Sequence, residues 1–403
     1  MLEQIQRERA GRERGSGAPP HPYRRDRPPA AGREPGRPAA GRRFRVRSHP
    51  DRVGVQRAGE GPPRPVPAPG EPALLRFARL VFGYRGTAAV LAAHSLGLFA
   101  EIHRQPRVAV DLARHCHADP RGVERLLNAL VALGILHLHG STYVLPRELA
   151  PYLVRGVNGD ATGLLELEAE MYAAWGNLAE GIRTGTPLYP LSSDALLAGD
   201  PQLVRRYIRA VHTGSREAAR RVAELAPLPP GSSLLDVAGG SGIYSAEFAR
   251  RAPGLSAVLF DLPPTIEVAR EILAAEGLEG RVTFHAGDYR YDPFPGPVDA
   301  LLLSNLLQTE GVEQGKRILA KAREALRPGG TLLVHGVMAD RAGTSPPEAA
   351  LFSLLMYVVF DAGRAHSAEE IAEWLAEAGF GVRSTRPLGP PLPSTLIQAT
   401  RLP

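Results

Sequence analysis

Two short apolar stretches constrain this chain more than anything else in it. Leu234-Leu235-Asp236-Val237 runs into Ala238-Gly239-Gly240-Ser241-Gly242, and Ala257-Val258-Leu259-Phe260 ends on Asp261, 25 residues after Asp236. A strand, a glycine turn opening a helix, and a second strand closing on an acid is how an open α/β sheet holds a nucleoside. Glycine lets backbone approach a ligand with no Cβ in the way. Asp261 stands where a carboxylate can accept two ribose hydroxyls. The dinucleotide spacing would need glycine at 245, but that residue is Ser245. Asp236 is placed to reach an amino group. A ligand carrying both a ribose and an amino group points to S-adenosylmethionine. Any buried βαβ turn also uses glycine for packing, so the turn alone leaves that plainer reading open.

The surrounding pattern narrows the choice. Buried-type strands are predicted at Leu234–Val237, Ala257–Asp261, Val282–His285, Ala300–Asn305 and Thr331–His335, with short amphipathic helices between them. Two strands close the chain near Gly381–Thr385 and Thr395–Thr400. That is an α/β sheet, parallel except for a final antiparallel hairpin. Upstream, Leu74 to Leu98 is apolar at helical spacing, with Leu75, Phe77, Leu80, Val81 and Tyr84 on one side. Asp119-Pro120 caps and opens a further helix whose stripe is Val123, Leu126, Leu127, Leu130 and Val131. A strand pair, Ile135–Leu138 and Thr142–Leu145, follows. Helices with a small hairpin form a winged-helix arrangement. Its recognition helix offers only Arg121 and Arg125, with Glu124 between, so dimerisation is favoured over nucleic-acid binding. Residues 161–225 read as helical with a break at Gly185-Thr186-Pro187, and Tyr172, Trp175 and Leu178 are candidates for an apolar lid.

Composition excludes several classes. One cysteine, Cys116, rules out an internal disulfide and a cysteine-based metal site. No apolar run approaches the ~20 residues of a membrane span, and the N-terminus lacks an apolar signal core. A cytoplasmic protein is expected. The net charge of +6 misleads, because residues 1–70 hold sixteen arginines against seven acids, which leaves the rest near −3. That Pro-, Gly- and Arg-rich tail is expected to be disordered. It reads as either a segment that binds nucleic acid or an anionic surface, or translated upstream sequence. The expected divisions are the tail 1–70, a winged-helix-like dimerisation domain 71–155, a helical linker and lid 156–228, and the ligand-binding domain 229–403.

Several stretches together resemble one family. They are Leu96-Gly97-Leu98-Phe99, Arg125–Leu130 with Gly134-Ile135-Leu136, Asp236–Gly242, Phe260-Asp261-Leu262-Pro263, Ala286-Gly287-Asp288, Arg327-Pro328-Gly329-Gly330 and Trp374–Phe380. Over residues 71–403 the chain resembles the O-methyltransferases of plant phenylpropanoid and bacterial polyketide and pigment pathways. The resemblance implies a Rossmann-like class I methyltransferase sheet behind an N-terminal winged-helix dimerisation domain. It also implies a homodimer, one S-adenosylmethionine per subunit and a small-molecule acceptor. Carried over residue by residue, it assigns Gly239, Gly240 and Gly242 to the methionine and ribose portion. Asp261 with Leu262 goes to the ribose, Asp288 after Gly287 to the adenine amino group, and Tyr289 to the adenine ring. Ser215 falls where the family often binds the donor carboxylate, and Ser304 joins the cofactor set. Met356, Tyr357 and Phe360, with Tyr172 and Trp175, are candidates for the acceptor pocket.

The catalytic stretch departs from the family. Where the family carries Ser-Asn-x-x-His-Asp, this chain reads Ser304-Asn305-Leu306-Leu307-Gln308-Thr309. Gln308 takes the place of the general base, and an amide accepts no proton at any useful pH. The two acids that orient that histidine align with Gly336 and Ala365. His335 and His366 lie beside those positions and are candidates for a substitute base, with strand-end and helix-start structural roles as the alternatives. Three readings follow. One is a methyltransferase acting on a small apolar or aromatic metabolite without the usual base. Another is the same fold turned to hydroxylation, decarboxylation or cyclisation. The third is a non-catalytic S-adenosylmethionine-binding regulator.

Overall fold

The computed structural model describes residues 72–403 except 158, 159, 161, 190, 199, 279 and 391, and not the side chains of Ser193 and Ala198. The expectations for residues 1–70 lie outside the described residues. The described residues all belong to one unit, 61–403.

Seven strands form the central sheet: β3 (Ser233–Val237), β4 (Ser256–Asp261), β5 (Val282–Ala286), β6 (Val298–Ser304), β7 (Leu326–Val337), β8 (Phe380–Pro387) and β9 (Ser394–Arg401), after a two-stranded β1/β2 described below. Their order is β5-β4-β3-β6-β7-β9-β8. The first five run parallel, and β9 and β8 enter antiparallel. Side chains alternate across the two faces with period two. Leu234, Leu259, Leu302 and Leu333 face helices α10 (Pro201–Leu225), α11 (Ile243–Arg251) and α12 (Pro263–Ala275). Leu235, Phe260, Leu301, Leu303 and Val334 face α13 (Val312–Ala325) and α15 (Ala368–Glu377). Helices on both faces explain why these strands read as near-continuous apolar runs. Strand order reverses beside β3, where β4 lies on one side and β6 on the other. A cleft opens there, at the carboxyl ends of the strands.

The N-terminal part holds α1 (Ala73–Phe82), α2 (Tyr84–Ser95), α3 (Leu98–Arg104), α4 (Ala109–His115), α5 (Pro120–Ala132), the hairpin β1 (His137–His139) and β2 (Thr142–Val144), and α6 (Ala150–Leu153). Asp119 caps α5 as expected, its carboxylate accepting from the amides of Arg121 at 2.9 Å and Gly122 at 3.0 Å. Leu98, Phe99, Leu112, Val123, Leu127, Leu130 and Leu136 form its core. The expected helix over Leu74–Leu98 is instead broken between α1, α2 and α3, with Gly97 in the left-handed region at φ 70°. Its apolar stripe is not buried in this chain. Phe77 is 62% exposed and Leu80 78%. α1 buries no residue at all.

Between the two parts run α7 (Thr162–Gly176), α8 (Leu178–Thr184), α9 (Ser193–Ala198) and then α10. The break expected at Gly185-Thr186-Pro187 is present and extends to 188, 189, 191 and 192. Leu188 and Tyr189 both donate their amides to the Val358 carbonyl and Leu191 to that of Val359, at the end of α14 (Pro347–Val359). These backbone bonds anchor the segment over the cleft.

Candidate active site

The glycine turn follows β3 without slack. A Cβ on Gly239 would lie 2.7 Å from the Asp236 carboxyl carbon, and one on Gly242, at φ 76°, would lie 2.9 Å from Leu273 Cδ1. Only glycine fits either place. Ala238 lies in the left-handed region at φ 53°, a conformation that costs a β-carbon about 1 kcal/mol.

Asp261 ends β4 and lines the cleft. Its Oδ2 accepts from the Gly240 amide at 2.8 Å and its Oδ1 from the Leu262 amide at 2.7 Å. Each oxygen has capacity left for a second donor. Burial pushes its carboxyl up to about 6. Gly239, Gly240, Leu262, Tyr289, Ser215 and Ser304 also line the cleft. These expected donor-site residues are brought together.

Four others do not line the cleft, Gly242, packed against Leu273, among them. Asp236, expected within reach of a ligand amino group, is 0% exposed. It sits beneath the turn, its Oδ2 accepting from the Ser245 hydroxyl at 2.8 Å, while Oδ1 has no partner. Burial pushes that carboxyl up to about 7. The Asp288 carboxylate, expected to face adenine, is taken by the Arg290 side chain, Nη2 donating at 2.7 Å and Nε at 3.1 Å. Arg290 reaches on to Asp194 of α9 at 2.9 Å. Gly287 owes its identity to packing, because a Cβ there would meet the Phe260 ring at 2.5 Å.

The expected acceptor residues divide in the same way. Phe360 lines the cleft. Met356 is buried among Ala174, Leu191, Val358 and Val359. The Tyr357 hydroxyl donates to the Gly181 carbonyl at 3.4 Å. Trp175 packs on Leu167, Met171 and Ala210, and Tyr172 is exposed. Neither lines the cleft, so the lid is not built from them. Leu191, Leu196, Tyr207, Ile208 and Val211 supply its apolar wall instead. Sequence reading missed these because only the 188–191 clamp and the pitch of α10 turn them inward. It also missed Tyr244, Asn305 and Thr309. Tyr244 had a signal, its place in the first helical turn after the glycine motif.

None of the three candidate bases lines the cleft. Gln308 turns away: its Nε2 donates to Asn305 Oδ1 at 3.2 Å, and its Oε1 occupies the space a Cβ on Gly336 would need. The amide therefore fills the room beside Gly336. His335 is fully engaged, with Nδ1 3.0 Å from Ser304 Oγ and 3.3 Å from the Tyr244 hydroxyl, and Nε2 2.9 Å from Ser394 Oγ. Burial pushes it down to about 4, so it is neutral. His366 donates from Nε2 to the carbonyls of Leu307 and Glu310, both at 3.1 Å, and packs edge-on against Trp374. Burial, then the Arg364 charge, lower its affinity for a proton. Gln308, His335 and His366 share a small separate void with Gly336 and Met338. Among the described residues no cluster of metal ligands occurs, and no helix is long and apolar enough to cross a membrane.

A doubly covered, mostly parallel sheet with a cleft at its strand reversal is the class I methyltransferase architecture. Residues 175–381 match the O-methyltransferase domain and residues 78–150 the O-methyltransferase dimerisation domain. The chain is 32% identical to a 3-hydroxy-5-methyl-1-naphthoate 3-O-methyltransferase of Streptomyces sahachiroi, over 82% of this chain and 95% of that one. It is 29% identical to an N,N-dimethyltransferase of Streptomyces rimosus, over 80% and 95%. An O-methyltransferase family protein from Burkholderia thailandensis superposes with a TM-score of 0.72 at 25% identity, over 83% and 99%. The chain belongs to the O-methyltransferase family, whose members are S-adenosylmethionine-dependent methyltransferases.

Proposed function

We propose that this protein methylates a small, largely apolar or aromatic metabolite without a side-chain base at the usual position. The observation that carries the reading is Asp261. Its two oxygens hold the glycine turn and the start of α12 while facing the cleft, the arrangement two ribose hydroxyls require. In this reading Gly239 and Gly240 pass the methionine portion, Leu262 flanks the ribose and Tyr289 packs on adenine. The Tyr289 ring is fixed for that by its hydroxyl, which donates to Glu310 Oε1 at 2.5 Å. The bound donor supplies an electrophilic methyl group. The chain's own task is then to align an acceptor with it and keep water away. Leu191, Leu196, Ile208, Val211 and Phe360 supply an apolar wall for a flat acceptor.

Proton removal is where this chain differs. No histidine or lysine lines the cleft among the described residues. The acceptor nucleophile therefore has to arrive poised, as an ionised phenol, an amine or a thiolate. The relative named for N,N-dimethylation is consistent with a family site that methylates without a hydroxyl to deprotonate. The test is transfer of label from methyl-labelled donor to a panel of aromatic phenols and amines, with S-adenosylhomocysteine as co-product. No transfer to any acceptor, together with no donor binding, overturns the reading. With a substrate in hand, Gln308→Ala is expected to lower turnover by about tenfold at most and leave the pH profile unchanged, since one positioning hydrogen bond is at stake. Gln308→His is expected to restore nothing, because Gly336 and Ala365 offer the imidazole no carboxylate. A thousandfold loss in Gln308→Ala would assign it a far larger role.

We also propose a homodimer. The exposed Leu75, Phe77, Leu80 and Val81 on α1 are a face that water disfavours; Leu80 and Val81 lie within, and Leu75 and Phe77 just before, the residues matching the dimerisation domain. Leu80→Asp with Phe77→Asp is expected to yield a monomer by sedimentation. An unchanged dimer would place the interface elsewhere.

A further inference from the structure

The cleft leaves one hydroxyl unspent. Ser304 Oγ meets His335 Nδ1 at 3.0 Å, and Ser241 Oγ meets His212 Nδ1 at 3.1 Å. Asn305 accepts from Gln308, Thr309 donates to the Leu306 carbonyl at 2.9 Å, and Tyr289 donates to Glu310. Ser215 is bonded to Tyr244, and Thr265 to Asp261. Of the polar side chains lining the cleft, only the Tyr207 hydroxyl has no hydrogen-bond partner among the described residues. Tyr207 lies one turn before Val211 and two before Ser215 on the inward face of α10. Its ring packs on the cluster that holds Leu191 and Met356, as do Leu196 and Phe360. The free hydroxyl therefore stands in the apolar wall proposed for the acceptor. Charge is scarce around it. No lysine, arginine or histidine lines the cleft among the described residues, and Asp261 is the one acid among them that does.

We infer that Tyr207 is a specificity-determining residue whose hydroxyl donates to an uncharged carbonyl oxygen on the acceptor, which is accordingly a flat phenol conjugated with a ketone. The inference deepens the proposal that this cleft methylates an aromatic metabolite, and rests on it. A hydroxyl left unpaired in an apolar wall costs free energy until a ligand supplies its partner. A carboxylate there would meet the Asp261 charge with no cation to offset it. A conjugated carbonyl is a strong uncharged acceptor that keeps a ring system flat. It also fits a cleft lined by no histidine or lysine. A phenol conjugated with a carbonyl is more acidic than a plain phenol, because its anion spreads onto the carbonyl oxygen. Donation from Tyr207 to that oxygen stabilises the anion further, and the phenol proton is released to solvent. Burial, then the Asp261 charge, push Tyr207 itself up to about 12, so it stays a donor and takes no proton from the acceptor.

Three probes of one ring system test this on the full chain saturated with S-adenosylhomocysteine. They are 6-acetyl-2-naphthol, 2-naphthol and 6-hydroxy-2-naphthoate. By calorimetry, wild type is expected to bind the ketone about tenfold more tightly than either of the others. By absorbance, the bound ketone's phenol is expected to ionise about one pH unit below its value in solution. Tyr207→Phe is expected to abolish both effects and to leave the affinities for 2-naphthol and S-adenosylhomocysteine within about twofold of wild type. It removes a hydroxyl that no protein group needs, so the ligand-free variant should melt where wild type does. A ketone preference that survives in Tyr207→Phe overturns the inference. So does a wild type that lacks the preference, favours the carboxylate or binds none of the probes. A tenfold loss of S-adenosylhomocysteine affinity in Tyr207→Phe would put the hydroxyl on the donor and overturn it too. Wild-type protein that does not bind S-adenosylhomocysteine overturns the proposed function itself.

Discussion

Asp261→Ala is expected to weaken S-adenosylhomocysteine binding about thirty- to a hundredfold, because it removes the acceptors of two charge-assisted hydrogen bonds worth about 2–3 kcal/mol together. Burial raises this carboxyl to about 6, and the sign of the pH effect follows. Only the ionised form accepts from both hydroxyls, so wild-type affinity should hold above pH 6 and fall about tenfold per unit below it. Asp261→Ala should be flat over the same range. Calorimetry from pH 5 to 8 measures both. Equal affinity of the two proteins at pH 8 would remove Asp261 from the donor site.

The second large effect concerns stability. Asp236 is fully buried beneath the glycine turn with one oxygen unpartnered, and its carboxyl is pushed from 3.8 up to about 7. Between those values the folded state holds a proton that the unfolded state has released. Stability therefore falls as pH rises from about 4 to 7, and the full cost is present above pH 7. A shift of that size corresponds to about 4 kcal/mol in order of magnitude. Asp236→Asn places an amide oxygen where Oδ2 accepts from Ser245 and removes the charge. It is expected to raise the melting temperature at pH 8 and to change it little near pH 4. Destabilisation by Asp236→Asn at pH 8 would show that the buried anion has a compensating partner.

The two aspartates show where sequence reading works and where it stops. Asp261 follows a strand of apolar residues and precedes Leu262-Pro263, so local periodicity alone puts it at a strand end beside the glycine turn. Asp236 has an equally plausible local setting. That its side chain goes down under Gly239 rather than out to the ligand depends on Ser245, which captures it from the next helix. Asp288, expected to face the adenine amino group, instead gives its carboxylate to Arg290, two residues on, which also reaches Asp194 of α9. The stripe on α1 was read correctly as a helical face, but helical spacing says only that a face is apolar, not what covers it.

The sequence by itself determined the alternation of strands and helices, the glycine turn, the acid that ends β4 and the run Ser304–Thr309 with glutamine at 308. These are set by backbone conformations and periodicities within a few residues. Only the tertiary structure decided where the substituted residues point. Gln308 folds its amide into the space above Gly336. His335 is closed in by three hydroxyls from α11, β6 and β9. His366 is spent on the carbonyls of the turn after β6. Those partners lie dozens of residues away along the chain. A buried polar group must find hydrogen bonds wherever the packed core offers them, so its direction is a property of the assembled fold.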